Sequence, residues 1–441
     1  MTGNDTQPDV ETTRLVQLLE DASVPIQDLG PEGTTGDDDL EAVCECVGDS
    51  DVVGLGESSH GTREFVRFRD RVLRHLVADR GLRLIGLEAD FAAMLEVNAY
   101  VVSGRGTPPE VLATDGIHPL YRVEGLGRLL EWLRAFNDGR PDGDSVRMHG
   151  FDVQHTAAAA QRLGSFLEAA DPALLDRVRD ALEALEDPGF PDASDQKAMA
   201  DHLAARRTVV GALEDAFESR EAAYVDATSR DACRRARRLV WQLEQGRKQF
   251  EAIHAGRAKT GANVRIRDSA MAAQVQWLRR YEGVDRIAIW GHNAHLARDH
   301  FAGGTTRHRR GIPSLGSNLA TLDGVEYCAI GLFLGSGSVM AYCGPESEYR
   351  TPEIPASPPG SVPDVFGRVE ASQFLLDVGD LPAGSALSRW FDREPLHFDI
   401  AGGYREDPVN RVETDLQRQF DAIVYIDETS PVQQLAAGPD G

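Results

Sequence analysis

Six ionisable residues close four apolar runs of this 441-residue chain, and their types suit acid–base chemistry. Glu57 and His60 follow the run Val52–Leu55, inside the stretch Gly56-Glu57-Ser58-Ser59-His60-Gly61. Glu88 follows residues 84–87, and Asp152 follows residues 146–151. His292 and His295 follow residues 287–290, inside Gly291-His292-Asn293-Ala294-His295. A neutral imidazole oriented by a carboxylate takes a proton from water. A guanidinium such as Arg69, or a second imidazole, stabilises the oxyanion that develops at a carbonyl. Together these groups describe hydrolysis of an ester, lactone or amide without a covalent intermediate. A serine route fits poorly, because His60 takes the last glycine position of the G-x-S-x-G pattern around Ser58. No cysteine stands beside a histidine at these strand ends. A metal route stays open at this point: Glu57 with His60, and His292 with His295, are ligand types for zinc or manganese, although no H-E-x-x-H is present.

The elements that must position these residues begin with residues 51–88, which read as strand, loop, helix, strand. The helix shows one apolar face, Phe65, Phe68, Val72, Leu73 and Leu76. Arg69 lies inside that face and needs a partner; Arg63, Arg67, Arg71 and Arg74 fall outside it. Thr62 is the expected N-cap, and Glu64 suits the first turn. Alternating strands and helices favour a largely parallel sheet. Ligands bind such sheets outside the carboxyl ends of the strands, so the four endings are expected to converge on one crevice.

Further helices are expected at residues 11–19, 39–47, 91–101, 126–136 and 267–281. Further strands are expected at 285–290, at 374–378 and 420–426, and as an adjacent pair at 326–334 and 339–343. Residues 24–33, 118–122 and the proline-rich 351–365 read as loops. Between 157 and 261 strand character vanishes, and alanine, leucine, glutamate and arginine dominate. Breaks fall near Pro172, at 188–191 and at Thr228-Ser229, so this segment reads as an inserted helical bundle, a lid or wall. The expected organisation is an N-terminal helix and linker (1–40), a first core part (41–156), the helical subdomain (157–261), a second core part (262–435) and a tail (436–441).

Net charge is −25, which argues against nucleic acid or an anionic membrane as partner. Arginine almost replaces lysine; Lys197, Lys248 and Lys259 are the lysines. This acidic composition resembles that of proteins from salt-loving organisms. No signal-peptide pattern and no apolar run of membrane-spanning length is present, so a cytoplasmic protein is expected. The five cysteines are odd in number and match no zinc spacing, which makes them expected core residues in a reducing compartment.

Several motifs in order carry a resemblance. GLGESSHGTREF, GLEADF, HPLYRVEGLGRLLEWLRAFN, GFDVQ, RDSAMAAQVQWL, WGHNAHLAR, PPGSV and DAIVYIDETSPV resemble the erythromycin esterase family, over roughly residues 52–431. The resemblance implies an α/β fold: a mixed, largely parallel central sheet flanked by helices, with an inserted helical subdomain over the cleft. It implies a carboxylic ester hydrolase that opens a macrolide lactone with His-activated water, with a role in antibiotic resistance. The expected catalytic set is His60, Glu57, Glu88, Arg69 and His292. His295, Asp152 and Tyr121 are expected against the substrate, with no metal and no cofactor. The partner is a small-molecule ester or lactone; the sequence does not set the oligomeric state. Tyr121 stands where the family commonly has Trp, and Gln274 where it commonly has Asn, departures that bear on substrate more than on chemistry. Two other readings stay open: a metal-dependent hydrolase on the same scaffold, and a non-catalytic small-molecule or haem-binding module.

Overall fold

A computed structural model describes residues 10–30, 38–186, 195–300, 311–343, 348–404 and 410–436. The expected break at 188–191, the loop at 31–33 and all but the first residue of the tail lie outside the described residues. The strands, in chain order, are β1 (Ser23–Pro25), β2 (Val52–Leu55), β3 (Leu84–Asp90), β4 (Arg147–Asp152), β5 (Ile287–Trp290), β6 (Tyr327–Gly337), β7 (Ala341–Cys343), β8 (Glu348–Arg350), β9 (Gln373–Asp377), β10 (Leu396–Phe398), β11 (Gly403–Tyr404), β12 (Arg411–Glu413) and β13 (Ala422–Thr429). The chain forms two compact units. One holds Met1–Arg83, Val123–Leu129 and Asp285–Leu435; the other holds Leu84–Arg122, Leu130–Val284 and Ala436–Gly441.

In the first unit six strands form a mixed sheet in the order β1-β9-β13-β6-β2-β5. The pairings β13–β6, β6–β2 and β2–β5 are parallel, and β1–β9 and β9–β13 are antiparallel. Every residue of β2 and β5 is buried, as expected of short apolar strands covered on both faces. Register pairs Leu55 with both Trp290 and Ile330. The loops that begin at Gly56 and Gly291 therefore leave the sheet side by side.

The helix Arg63–Asp79 follows the first of these loops and buries Phe65, Phe68, Val72, Leu73 and Leu76, the face expected from the 3.6-residue period. One detail of that helix differs from expectation. Thr62 stands at the N-cap position, but its hydroxyl makes no capping bond. The first turn is held instead by Ser430, whose carbonyl accepts from Arg63 N, and whose N–H and hydroxyl donate to Glu64 at 2.8 and 2.6 Å. Arg71, outside the apolar face, is nonetheless buried, because Asp39 on the neighbouring helix Asp38–Val47 accepts two bonds of 2.7 Å from its guanidinium.

Other strand readings are corrected too. Residues 23–25 form a short edge strand rather than loop. The runs at 326–334 and 339–343 do not pair with each other: β6 lies between β2 and β13, whereas β7 joins β8 and β11 in a separate three-stranded sheet. Gly337, at φ 93°, turns the chain between them. The proline-rich loop ends early, at a short helix Val362–Phe366 capped by Ser361.

In the second unit β3 and β4 pair in parallel, with a register shift between Leu87 and Asp90. Glu88 therefore lies within the strand's last residues rather than after it. Asp90 caps the helix Phe91–Ser103 by accepting from Ala92 N and Ala93 N. Residues 119–121 form a short 3-10 turn rather than loop. The helices Ala157–Ala170, Pro172–Glu183, Gln196–Ala227, Arg230–His254 and Ala262–Glu282 share this unit. Asp171 and Ser229 cap the helices that restart at the two described breaks. No helix among the described residues is long and apolar enough to cross a membrane. The five cysteines are free thiols, three of them buried.

Gly61 has a stricter role than loop freedom. A Cβ there would fall on the carbonyl oxygen of Met340, closer than side chains approach backbone. Met340 N and Val432 N both donate to Gly61 O, which holds that backbone in place. We expect Gly61→Ala to lower the unfolding free energy by about 1–3 kcal/mol, the range for overpacking a site that cannot relax. Urea denaturation checks this, and an unchanged midpoint would show that the contact yields freely.

Candidate active site

The centre of the first unit's site is a carboxylate with no access to solvent. Glu57 is 0% exposed, at the point where the chain leaves β2. One of its oxygens, Oε1, lies 2.7 Å from His60 Nδ1 and accepts from Trp290 Nε1 at 3.3 Å. The other, Oε2, accepts from Arg69 Nη2. Arg69 is equally buried. It donates through Nε to Phe65 O at 3.2 Å and through Nη1 to Gly56 O at 3.4 Å, and its guanidinium lies 3.9 Å from the centre of the Trp290 ring. These partners use the charge and donors of Arg69 inside the fold. Within the fold these contacts tie Arg69 to Glu57, to the backbone at Phe65 and Gly56, and to the Trp290 ring. Burial pushes the Glu57 carboxyl up, but Arg69 and His60 outweigh it and hold it down at about 2.

His292 stands beside His60, with ring centres 5.6 Å apart and planes at 66°. His295 lies beyond it, its ring centre 6.4 Å from that of His292. His292 caps the short helix Asn293–Leu296, its Nδ1 accepting from Ala294 N at 3.3 Å. Its Nε2 lies 2.6 Å from Asp399 Oδ1. Nδ1 is thus taken up by the helix start, and Nε2 faces the Asp399 carboxylate.

Asp399 was not legible as a site residue. It follows the three-residue strand β10 in the ordinary-looking stretch HFDIAGG, far in sequence from either histidine. Backbone bonds deliver it. Ile400 N and Ala401 N donate to Ser58 O at 2.7 and 3.0 Å, and His60 N donates to Ala401 O at 2.9 Å. The same short strap therefore orders the His60 loop and carries Asp399 to His292. His397, two residues earlier, packs edge-on to Phe333 and is held neutral down to about 4, chiefly by burial. Asn293 ties the second loop to the sheet: its N donates to Glu57 O, and its side chain bridges Leu332 O and N.

The structure thus brings Glu57, His60, Arg69, His292 and His295 together within one unit. The other expected residues lie in the second unit. There Arg267 joins Glu88 to Asp152, donating to Glu88 Oε1 at 3.0 Å and to both oxygens of Asp152 at 3.0 and 2.7 Å. Arg267 holds the Asp152 carboxyl below the usual range against the effect of burial. Arg267 sits in the RDSAM segment, and its placement beside two strand-end carboxylates was the signal available for it. Tyr121 is buried, with the His118 ring at 6.3 Å.

The nucleophile question has a geometric answer for Ser58. Its hydroxyl is buried and makes no hydrogen bond among the described residues, so no Ser–His pair exists there. Among the described residues, no three His, Cys, Asp or Glu side chains gather as a metal-ligand set.

Comparison with known proteins bears on the whole chain. The family model described as Erythromycin esterase matches residues 77–429. The chain is 26% identical over 172 residues to Erythromycin esterase type II of Escherichia coli, a match spanning 38% of this chain and 39% of that protein. It is 22% identical over 407 residues to the Putative hydrolase YbfO of Bacillus subtilis (strain 168), spanning 86% of this chain and 84% of that one. A solved structure of an erythromycin esterase mutant in its open conformation shares the fold, with a TM-score of 0.68 at 18% identity over 93% of this chain and 98% of the other. With the family model matched across most of its length, the chain belongs to the erythromycin esterase family.

Proposed function

We propose that this hydrolase-family chain cleaves a carboxylic ester or lactone with water activated by His60, and that a macrolide lactone is its substrate class, with a role in antibiotic resistance. The observation that carries the reading is the buried Arg69–Glu57–His60 series. With Nδ1 on Glu57, proton exchange with the reaction falls to Nε2 of His60. In the proposed step Nε2 takes a proton from water, the water oxygen forms a bond to the carbonyl carbon, and the carbonyl π pair moves to oxygen. The intermediate then collapses, the C–O bond to the alcohol breaks, and the leaving oxygen recovers the proton from His60. The charge of Glu57 stabilises the imidazolium between the two transfers. His292, with Asp399 beside its Nε2, positions the ring of His60 by packing against it. Glu88 in catalysis, and His295, Asp152 and Tyr121 against the substrate, belong to the same proposal on the strength of their motifs.

The direct test is a product-identifying screen of macrolides and simple lactones. On a substrate found this way, His60→Ala should lower kcat by about 10²–10⁴-fold with less effect on KM. His60→Gln should fail similarly, because it keeps size but no base. Near-normal turnover by both variants removes His60 from the mechanism.

Asp399→Asn should reduce kcat roughly 10- to 100-fold, the scale of lost support to a functional histidine, while Asp399→Glu recovers part of the loss. Equal kcat in wild type and both variants would reduce Asp399 to a structural contact.

The Glu57 pairing also has a pH signature. Its carboxyl is depressed in the folded chain, so its stabilisation is present above the ordinary carboxylate value and is lost as pH falls from about 4.3 toward about 2. Glu57→Gln should therefore flatten the dependence of unfolding free energy on pH in this window. An identical slope in the variant would mean that the folded chain does not depress this group.

A further inference from the structure

The polar side of the helix Arg63–Asp79 carries a feature that the hydrolase reading does not use. A cavity of about 240 Å³ in the first unit is lined by Arg63, Arg67, Arg128, Gly30, Gly125 and Gln433, with Asp70 as the one acid among the described lining residues. That acid is occupied: Asp70 accepts from Arg74 Nε at 2.7 Å and Nη2 at 3.1 Å. Among the described residues the three lining arginines have loose acidic neighbours. Arg63 Nε is 3.6 Å from Glu64, Arg67 Nη2 is 3.8 Å from Asp28, and Arg128 Nη1 is 3.3 Å from Glu124. None is the short, two-pronged geometry that a guanidinium prefers with an acid.

Two further observations point to a missing acceptor. Arg63 is the first residue of a 17-residue helix, where the backbone dipole opposes a cation and favours an anion. Its Nε is buried and makes no hydrogen bond among the described residues. Gly30 lies beside the flexible end of Arg67, where a Cβ would stand 2.5 Å from Nη2. All this occurs in a chain of net charge −25.

We propose that this cavity is a binding site for a phosphate-class dianion, free or as the head of a small phosphomonoester. Three guanidinium groups around one small cavity match the several oxygens of a tetrahedral dianion. The cavity is too small for a folded partner. Arg63 and Arg67 lie one turn apart on one helix face, and Arg128 faces them from residues 123–129.

The test is calorimetric titration of the full chain with inorganic phosphate, and separately with glycerol phosphate, at ionic strength held constant with chloride. The expected result is saturable binding with one site per chain, weakened at least about tenfold in Arg67→Ala/Arg128→Ala. Both arginines are substantially exposed, at 40% and 49% of their side chains, so the variant should keep its melting temperature without phosphate. Tighter binding of glycerol phosphate assigns the phosphomonoester, and equal binding assigns free phosphate. Heats that chloride reproduces, or equal affinity in the double variant, would overturn the site. The His60 variants should bind phosphate as wild type does, so this outcome is independent of the hydrolase reading.

Discussion

A carboxylate buried beyond the reach of water is the constraint on which the first unit's site depends. Glu57 has no solvent to stabilise its charge, so the protein must supply every partner. It does so with one full charge, Arg69, and two ring N–H groups, from Trp290 and His60. Breaking one side of such a pair typically costs about 3–5 kcal/mol, because the other charge is left stranded. The interaction is therefore a folding constraint as well as part of the proposed site. It fixes which way the helix Arg63–Asp79 is rolled against the sheet, since Arg69 must stay under Glu57 while Phe65 and Leu73 stay in the core.

The second constraint is backbone proximity. Gly56 and Gly61 both face polar atoms where a Cβ would not fit, the Asn293 side chain and the Met340 carbonyl. Between them the loop takes up a strap from residues 399–401, and that strap carries the second carboxylate. The result is two carboxylate–imidazole pairs, Glu57 with His60 and Asp399 with His292, whose rings meet edge to face. The pairs differ in kind. Glu57 is balanced by a buried arginine, so its charge is permanent across the working pH range. His292 faces the Asp399 carboxylate through Nε2 and packs edge to face against His60.

Much of this was legible in the chain. Periodicity located the helix of Arg69, and the conflict of a cation in an apolar stripe correctly demanded a buried partner. Strand endings marked Glu57, His60, His292 and His295 because short apolar runs closed by polar residues are local signals. Asp399 was illegible because its contact to His292 is set by strap-to-loop hydrogen bonds over more than a hundred residues, with no local period to report it. The supposed pairing of 326–334 with 339–343 failed for a related reason. Adjacency in sequence suggests a hairpin, but β6 is long and apolar enough to be claimed by the sheet interior, and Gly337 sends the chain out of it. The burial of Arg71 was not legible, because a neighbouring helix can cover part of a helix's polar face, which the pattern of one helix alone does not reveal.

The account's central claim is that Glu57, pinned by Arg69, sets the proton position on His60. Nitrogen-15 NMR of the neutral His60 ring measures this directly, with His60→Gln used to assign its signals. The account predicts a protonated Nδ1 and a bare Nε2 in the wild type, and a loss of that bias in Arg69→Met. A wild-type ring protonated at Nε2, or a tautomer unmoved by loss of Arg69, would contradict it.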